Sequence, residues 1–244
     1  MSSVLGRVQR VRHELKFRDL TVLRVRDVTP HLRAVTFTGE SLADFVSPSF
    51  DDHVKLFIDA GGEEPARRDY TPRSFDNAAR ELTLEFVLHG DGPAAGWATQ
   101  AAPGQRVRIG GPRGSFLIPL DYDWHLLVGD ETALPAIARR LEELPAGAKT
   151  LVVLQVPEAA DRPALTSAAD LKTTWVTDGP TLFTALKAMA LPPGEGYVWA
   201  AGEAAEMAEL RRILGDEKGH DKRAIRAAAY LMRGATAHHE NLEA

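Results

Sequence analysis

The sequence predicts two domains of different class: an antiparallel β-barrel over residues 1–120 and a parallel-sheet α/β domain over residues 121–244. Three observations predict it. The first half is filled with short apolar stretches of period two, cut by Gly, Pro, Asp and Asn. The second half alternates short apolar runs with helix-period segments, the mark of βα units on a parallel sheet. The chain has 244 residues, 44% hydrophobic and 26% charged, which suits a globular protein with two cores.

The elements follow in order. Over residues 17–28 apolar side chains recur at Leu20, Val22 and, after a slip, Val25. Thr29-Pro30 is a turn, and residues 32–37 resume the alternation with β-branched residues. Residues 53–58, 69–75, 82–88 and 107–109 read as further strands, separated by Gly61-Gly62, Asp76-Asn77 and Pro103-Gly104. One helix is expected over residues 93–101. The patterns meet at residues 119–123. Beyond them, strands are expected at 124–128, 149–156, 171–176 and 196–200, and helices at 132–144, 181–189 and 204–214.

Composition removes several functions. Lys plus Arg is 29 and Asp plus Glu is 34, a formal charge of −5, which argues against general nucleic-acid binding. There is no cysteine, hence no disulfide, thiolate nucleophile, Cys-ligated zinc or Cys-ligated iron–sulfur cluster. No run of about 18 apolar residues is present, so no membrane insertion is expected. Arg7, Arg10 and Arg12 precede no apolar run, as a secretory signal would require. A cytoplasmic monomer is the expectation.

Four segments carry chemistry-bearing residues. In Arg68-Asp69-Tyr70-Thr71-Pro72-Arg73-Ser74, an extended chain sends Arg68 and Tyr70 one way and Asp69 the other, unless Pro72 disturbs the pleat. Tyr70 can stack on a flat heterocycle, and Arg68 or Arg73 can fork onto a phosphate. Thr71 and Ser74 offer hydroxyls. The competing reading is an edge strand with solvated arginines. In His89-Gly90-Asp91-Gly92-Pro93-Ala94-Ala95-Gly96-Trp97, a strand leads into a helix with Pro93 in its first turn. Free N–H groups of Ala94, Ala95 and Gly96 suit a pyrophosphate; the alternative is a plain strand–turn–helix joint with Trp97 in the core.

Gly129-Asp130-Glu131-Thr132-Ala133 joins another strand to a helix, where a dinucleotide is expected in an α/β sheet. It has no G-x-G-x-x-G, its acids repel a pyrophosphate, and Asp130 or Thr132 can serve simply as an N-cap. Ala201-Gly202-Glu203 is a similar small-residue turn, expected beside the third segment.

Together these segments resemble the siderophore-interacting protein family, ferric-siderophore reductases of the ferredoxin–NADP reductase superfamily. The family's R-x-Y-T-x-R motif is matched by Arg68, Tyr70, Thr71 and Arg73. Its H-G…G-P-A-x-x-W-A turn is matched by His89, Gly90, Gly92, Pro93, Ala94, Trp97 and Ala98. G-P-R-G-S corresponds to residues 111–115, G-D-E-T-A-L-P to 129–135 and A-G-E to 201–203. The resemblance implies an FAD-binding barrel, with the first two motifs on the isoalloxazine and phosphates, and an NAD(P)H-binding domain. It implies electron transfer from NADPH or NADH through FAD to a ferric siderophore or other ferric chelate, with release of Fe(II). The flavin carries that chemistry, so no catalytic acid or base and no resident metal site is assigned. The last strand departs from the family's Y-W-x-x-G: Leu231 follows Tyr230. The basic residues Arg7, Arg10, Arg12, Lys16 and Arg18, and Lys222, Arg223, Arg226 and Arg233, are candidates for attracting an anionic chelate; each alone also reads as a solvated charge. Two other functions share most of these features: an NAD(P)H–flavin oxidoreductase with a different acceptor, and a non-catalytic flavin- or siderophore-binding module.

Overall fold

The computed structural model describes residues 7–59, 64–88 and 92–231 and the backbone of 240–241. The chain divides into two compact units, Gln9–Leu117 and Met1–Val8 with Ile118–Ala244.

The first unit contains β1 (Gln9–Arg12), β2 (Phe17–Thr29), β3 (Leu32–Thr38), β4 (Val54–Ile58), β5 (Ala66–Tyr70), β6 (Ser74–Asp76), β7 (Glu81–Val87), α1 (Pro93–Thr99), β8 (Arg106–Gly110) and β9 (Gly114–Leu117). Seven strands form one antiparallel sheet in the order β5-β4-β8-β2-β3-β7-β6, and β1 pairs with β9. The first and last strands of that order, β5 and β6, are joined by only Thr71-Pro72-Arg73. In a flat sheet those edges lie roughly 29 Å apart, six spacings of about 4.8 Å. The link from Tyr70 to Ser74 reaches at most about 14 Å. The sheet therefore curls into a half-barrel.

Alternation fills its interior. On β7 every second residue is buried, and Leu82, Leu84 and Phe86 pack with Val35, Phe37, Leu56 and Ile109. Helix α1 covers this core with Ala94 and Ala98 buried, and its Trp97 ring lies 6.1 Å from Phe37 and 5.5 Å from Phe86.

The second unit contains β10 (Trp124–Gly129), α2 (Leu134–Glu143), β11 (Lys149–Gln155), β12 (Asp170–Val176), α3 (Gly179–Ala188), β13 (Gly196–Glu203), α4 (Ala204–Arg212), β14 (Ile225–Leu231) and β15 (Glu240–Asn241). The sheet order is β12-β11-β10-β13-β14-β15, parallel except for β15. The chain thus moves outward from β10 through β11 to β12, then crosses back to β13. Helices α3 and α4 pack on one face, where Leu182, Leu186, Met207 and Leu210 meet Leu126, Val128, Val153 and Val198. Right-handed crossovers place α2 on the other face. Among the described residues no helix is long and apolar enough to cross a membrane.

Several expected elements shift. The strand expected over residues 69–75 is two strands, β5 and β6, because Pro72 lacks an N–H and the chain there crosses between sheet edges. Helix α2 begins at Leu134 rather than at residue 132, since the Asp130 carboxyl accepts from the Thr132 N–H and folds a turn there. Helix α3 starts early, at Gly179, behind a capping box of Asp178 and Thr181. Strand β13 runs on through Ala201, Gly202 and Glu203, because β14 continues to pair with it past the end of β10. Helix α4 gives way after Arg212 to one wider turn, closed by the Lys218 N–H donating to Ile213 O at 3.0 Å. Strands β1 and β9 have no signal in the sequence; β1 is exposed along its whole length.

Trp124 begins β10 and lies fully buried against Gly196, the first residue of β13; a Cβ there would fall inside the indole. Gly196→Ala is expected to lower stability by about 1–3 kcal/mol through overpacking. Urea denaturation followed by tryptophan fluorescence measures this, and an unchanged midpoint contradicts it.

Candidate functional site

In the first unit, alternation on β5 puts Arg68 and Tyr70 on the core side and Asp69 on the other, where it accepts from Lys55 Nζ at 2.7 Å. The Tyr70 ring sits 4.3 Å from Phe86, extending the aromatic row that runs through Trp97 to Phe37. Burial pushes the Tyr70 phenol far above its ordinary value, so its hydroxyl stays neutral and is free to donate or accept. Arg68 forms no ion pair among the described residues; its guanidinium donates only to Arg67 O. Thr71 is buried in the link, and Ser74 opens β6 exposed. Arg73 differs from the expectation of a free phosphate fork: Glu85 stands 3.7 Å away and already meets part of its charge.

His89 and Gly90 lie outside the described residues. Gly92 precedes α1, and Pro93 occupies the first helical position as expected. Among the described residues no side chain caps this helix start, which leaves the Ala94 and Ala95 N–H groups without a described partner. Gly96 was expected to be free as well, but its N–H donates to Gly92 O at 3.0 Å, the first bond of the helix ladder. A Cβ on Gly92 or Gly96 would meet no described atom within 4 Å. Helix α1 packs against β5, which keeps this turn in the same part of the half-barrel as Tyr70. An aromatic ring, uncapped amides and a guanidinium without a carboxylate are a donor set that fits a flat heterocycle carrying phosphates.

In the second unit, Gly129 pairs with Ala201, so the turns after β10 and β13 are neighbours at the carboxyl ends of the strands. This is also where the strand order reverses, the position at which open α/β sheets bind ligands. The packing requires both glycines. A Cβ on Gly129 would collide with the Ala133 side chain and lie 2.8 Å from Ala201 O. One on Gly202 would lie 2.7 Å from Asp130 Oδ2.

Asp130 is buried, and its Oδ1 accepts from the Thr132 N–H at 2.9 Å and from Thr132 Oγ1 at 2.5 Å. Burial, with Glu131 and Glu206 near, pushes its carboxyl up to about 7 against those hydrogen bonds. The residue at the helix start is Ala133, not Asp130 or Thr132; Asp130 instead ties the turn, and its main-chain oxygen accepts from the Ala133 N–H at 3.0 Å. The Glu203 carboxylate caps α4 by accepting from the Ala205 and Glu206 N–H groups at 2.8 and 3.2 Å. Chain carboxyls therefore already occupy amide donors in both turns. A carboxyl that ionises near 7 carries only part of a charge at neutral pH, which relieves some of the repulsion expected from the sequence.

The basic clusters are less available than their sequence implies. Lys16 and Arg18 both bind Asp44, Arg7 binds Asp121 and Glu195, Lys222 binds Asp216, and Arg223 binds Asp221. On β14, Tyr230 lies edge-on to Trp199 at 6.3 Å and Leu231 is half-buried. Arg233 lies outside the described residues.

Sequence reasoning missed Asp52. Its buried Oδ2 accepts from Ser47 Oγ, the Ser49 N–H and Ser115 Oγ at 2.8–3.1 Å, and His13 Nε2 lies 2.8 Å from that same Ser115 hydroxyl. Burial pushes this carboxyl up to about 6. The network fastens the Gly114–Leu117 strand to the half-barrel.

Two family models match the chain: a siderophore-interacting FAD-binding domain at residues 21–66 and 59–116, and a siderophore-interacting protein model at residues 122–234. An NADPH-dependent ferric-chelate reductase of Escherichia coli is 36% identical, over 91% of this chain and 95% of its own length. The ferric vibriobactin reductase ViuB of Vibrio cholerae is 32% identical, over 91% and 93%. The crystal structure of a siderophore utilization protein from T. fusca superposes with a TM-score of 0.89 at 34% identity, over 95% of this chain and 98% of that one.

The raised Asp130 value has a consequence for stability. An unfolded Asp ionises near pH 3.9 and the folded one near 7, so between these the folded state holds the extra proton. Stability from this site is greatest below about pH 4, falls as pH rises, and levels off above about 7. Asp130→Asn should therefore be increasingly more stable than the wild type from pH 4 to 7, with a constant difference above. Denaturant midpoints across that range decide it, and a difference independent of pH contradicts the assignment.

Proposed function

The chain belongs to the siderophore-interacting protein family, and from that premise we propose that it is an FAD-containing oxidoreductase that uses NADPH or NADH to reduce ferric siderophores, releasing Fe(II). The observation that carries this reading is the pairing, within one half-barrel, of the Tyr70 ring and unpaired Arg68 with the uncapped first turn of α1. In this reading residues 1–120 hold FAD and residues 121–244 hold the nicotinamide donor. The ferric chelate is a substrate, and the protein works as a cytoplasmic monomer.

Arg68, Tyr70, Thr71, Arg73 and Ser74 would hold the flavin together with His89, Gly90, Gly92, Pro93, Ala94, Ala95 and Trp97. Gly129, Asp130, Thr132, Ala133, Gly202 and Glu203 would line the donor site. When bound, the flavin supplies the redox chemistry, taking up two electrons from the donor and passing them singly to iron. The chain's own tasks are binding and electrostatics. Tyr70 gives an aromatic surface braced from behind by Phe86. Arg68 and the Ala94 and Ala95 N–H groups meet phosphate charge. Trp97, wedged against Phe37 and Phe86, keeps the helix start in place. Asp130 fixes the turn after β10 while carrying only part of a charge at neutral pH.

Purified protein is expected to be yellow, to be bleached by NADPH or NADH without oxygen, and to be reoxidised by a ferric siderophore. Anaerobic stopped-flow spectroscopy follows both half-reactions. Bleaching without any acceleration of reoxidation by ferric chelates points to a different acceptor, and no bleaching by either donor points to a non-catalytic module. Arg68→Ala should weaken FAD binding about tenfold or more, the loss of a charge-assisted hydrogen bond. The neighbouring Arg67→Ala, an exposed residue paired with Glu64, should change it less than twofold. Titration of apoprotein with FAD measures both, and equal effects contradict the role of Arg68.

A further inference from the structure

Each turnover of the proposed reaction frees a proton. A hydride brings two electrons and one hydrogen nucleus to the flavin, and two Fe(III) ions take the electrons singly. NADPH or NADH and two Fe(III) thus become the oxidised nucleotide, two Fe(II) and one H+. That proton must leave the flavin site for solvent.

One chain of hydrogen bonds leads to the surface from the strand beside Tyr70. Asp52 stands two residues before Val54, which begins β4 and pairs with Tyr70. The Asp52 side chain is buried; its Oδ2 accepts from Ser115 Oγ at 2.8 Å, and Ser115 Oγ lies 2.8 Å from His13 Nε2. His13 is half-buried just past the end of β1, between the exposed Arg12 and Glu14. A hydroxyl both donates and accepts, and a neutral imidazole does so through its two nitrogens. Carboxyl, hydroxyl and imidazole in this order can therefore hand a proton along.

Fastening β9 does not require all of this. Ser47 Oγ and the Ser49 N–H also donate to Oδ2, whereas Oδ1 is buried and has no partner among the described residues. Fastening gives no role to that oxygen or to the histidine at the outer end. Among the described residues no cation pairs with the carboxyl; a like charge, Asp51, adjoins it and accepts from Ser49 Oγ at 2.7 Å. Burial, with Asp51 adding to it, pushes Asp52 up to about 6 against its three hydrogen bonds. Such a group takes up and gives back a proton near neutral pH.

We propose that Asp52, Ser115 and His13 form the route by which the proton freed in each turnover leaves the half-barrel: Asp52 takes it up, Ser115 Oγ hands a proton on to His13 Nε2, and the imidazole releases one to solvent. This rests on the reading that the flavin lies at the Tyr70 edge.

The test uses the full-length FAD-loaded protein. Spectroelectrochemistry reads the flavin midpoint potential against pH and needs neither nicotinamide nor ferric chelate. The wild type is expected to show a change of slope near pH 6 that Asp52→Asn lacks. Stopped-flow mixing of dithionite-reduced protein with a ferric chelate, in dilute buffer with a pH indicator, reads proton release. His13→Ala should slow that release about tenfold. Added imidazole should restore it, which a merely structural role for His13 would not allow. Ser115→Ala should slow release as much, without rescue by imidazole. If Asp52→Asn does not fold, these two variants decide. A slope unchanged in Asp52→Asn overturns the route. So does proton release in His13→Ala that matches the wild type, or that is slow and beyond rescue by imidazole. A slope change lost in Asp52→Asn, in a protein whose flavin neither NADPH nor NADH reduces, supports the coupling of Asp52 to the flavin and overturns the reductase reading instead.

Discussion

The link Thr71-Pro72-Arg73 is the constraint on which the first unit depends. It joins the two ends of a seven-stranded strand order, so the sheet must curl until those ends are within reach of three residues. Proline suits the link because it needs no N–H partner where neither edge strand offers one. Curling gives the sheet an inside, and the inside is filled by Phe37, Leu56, Leu84, Phe86 and Ile109. It also leaves a seam. Tyr70 ends one side of it and Ser74 begins the other, and α1 packs against the same edge strand. Aromatic, hydroxyl and amide groups collect there because the chain must cross there.

The second unit obeys a different constraint, the reversal of strand order at β10 and β13. Two glycines allow the turns at that reversal to approach, and Asp130 fills the space that Gly202 leaves. The buried carboxyl lowers stability when ionised, yet it fixes the conformation of the turn through Thr132. Glu203 treats the next turn similarly by capping α4. Neither turn is a glycine-rich phosphate cradle.

Much of this was legible in the sequence, for identifiable reasons. Period-two alternation announces β7 because one face is buried along all of it. The run at β10 stands out because a parallel strand between two helical layers is buried throughout and, His125 apart, apolar. The motifs around Tyr70 and Pro93 were visible because local residue types carry them. What stayed hidden depends on distant pairing. Strand β1 is polar and exists through its pairing with β9, about a hundred residues on. Asp52 gains its environment from Ser115 and His13. The break at Pro72 was foreseeable as a disturbance of the pleat, but a crossing between opposite sheet edges follows only from the strand order.

Amide hydrogen exchange read by mass spectrometry, with and without saturating FAD, tests whether the seam of the half-barrel receives the flavin. Slowed exchange is expected in peptides covering residues 68–74 and 92–97, with little change on β1, which is exposed along its whole length. Protection confined to other segments of the unit, with residues 68–74 exchanging at the same rate in both samples, would contradict it.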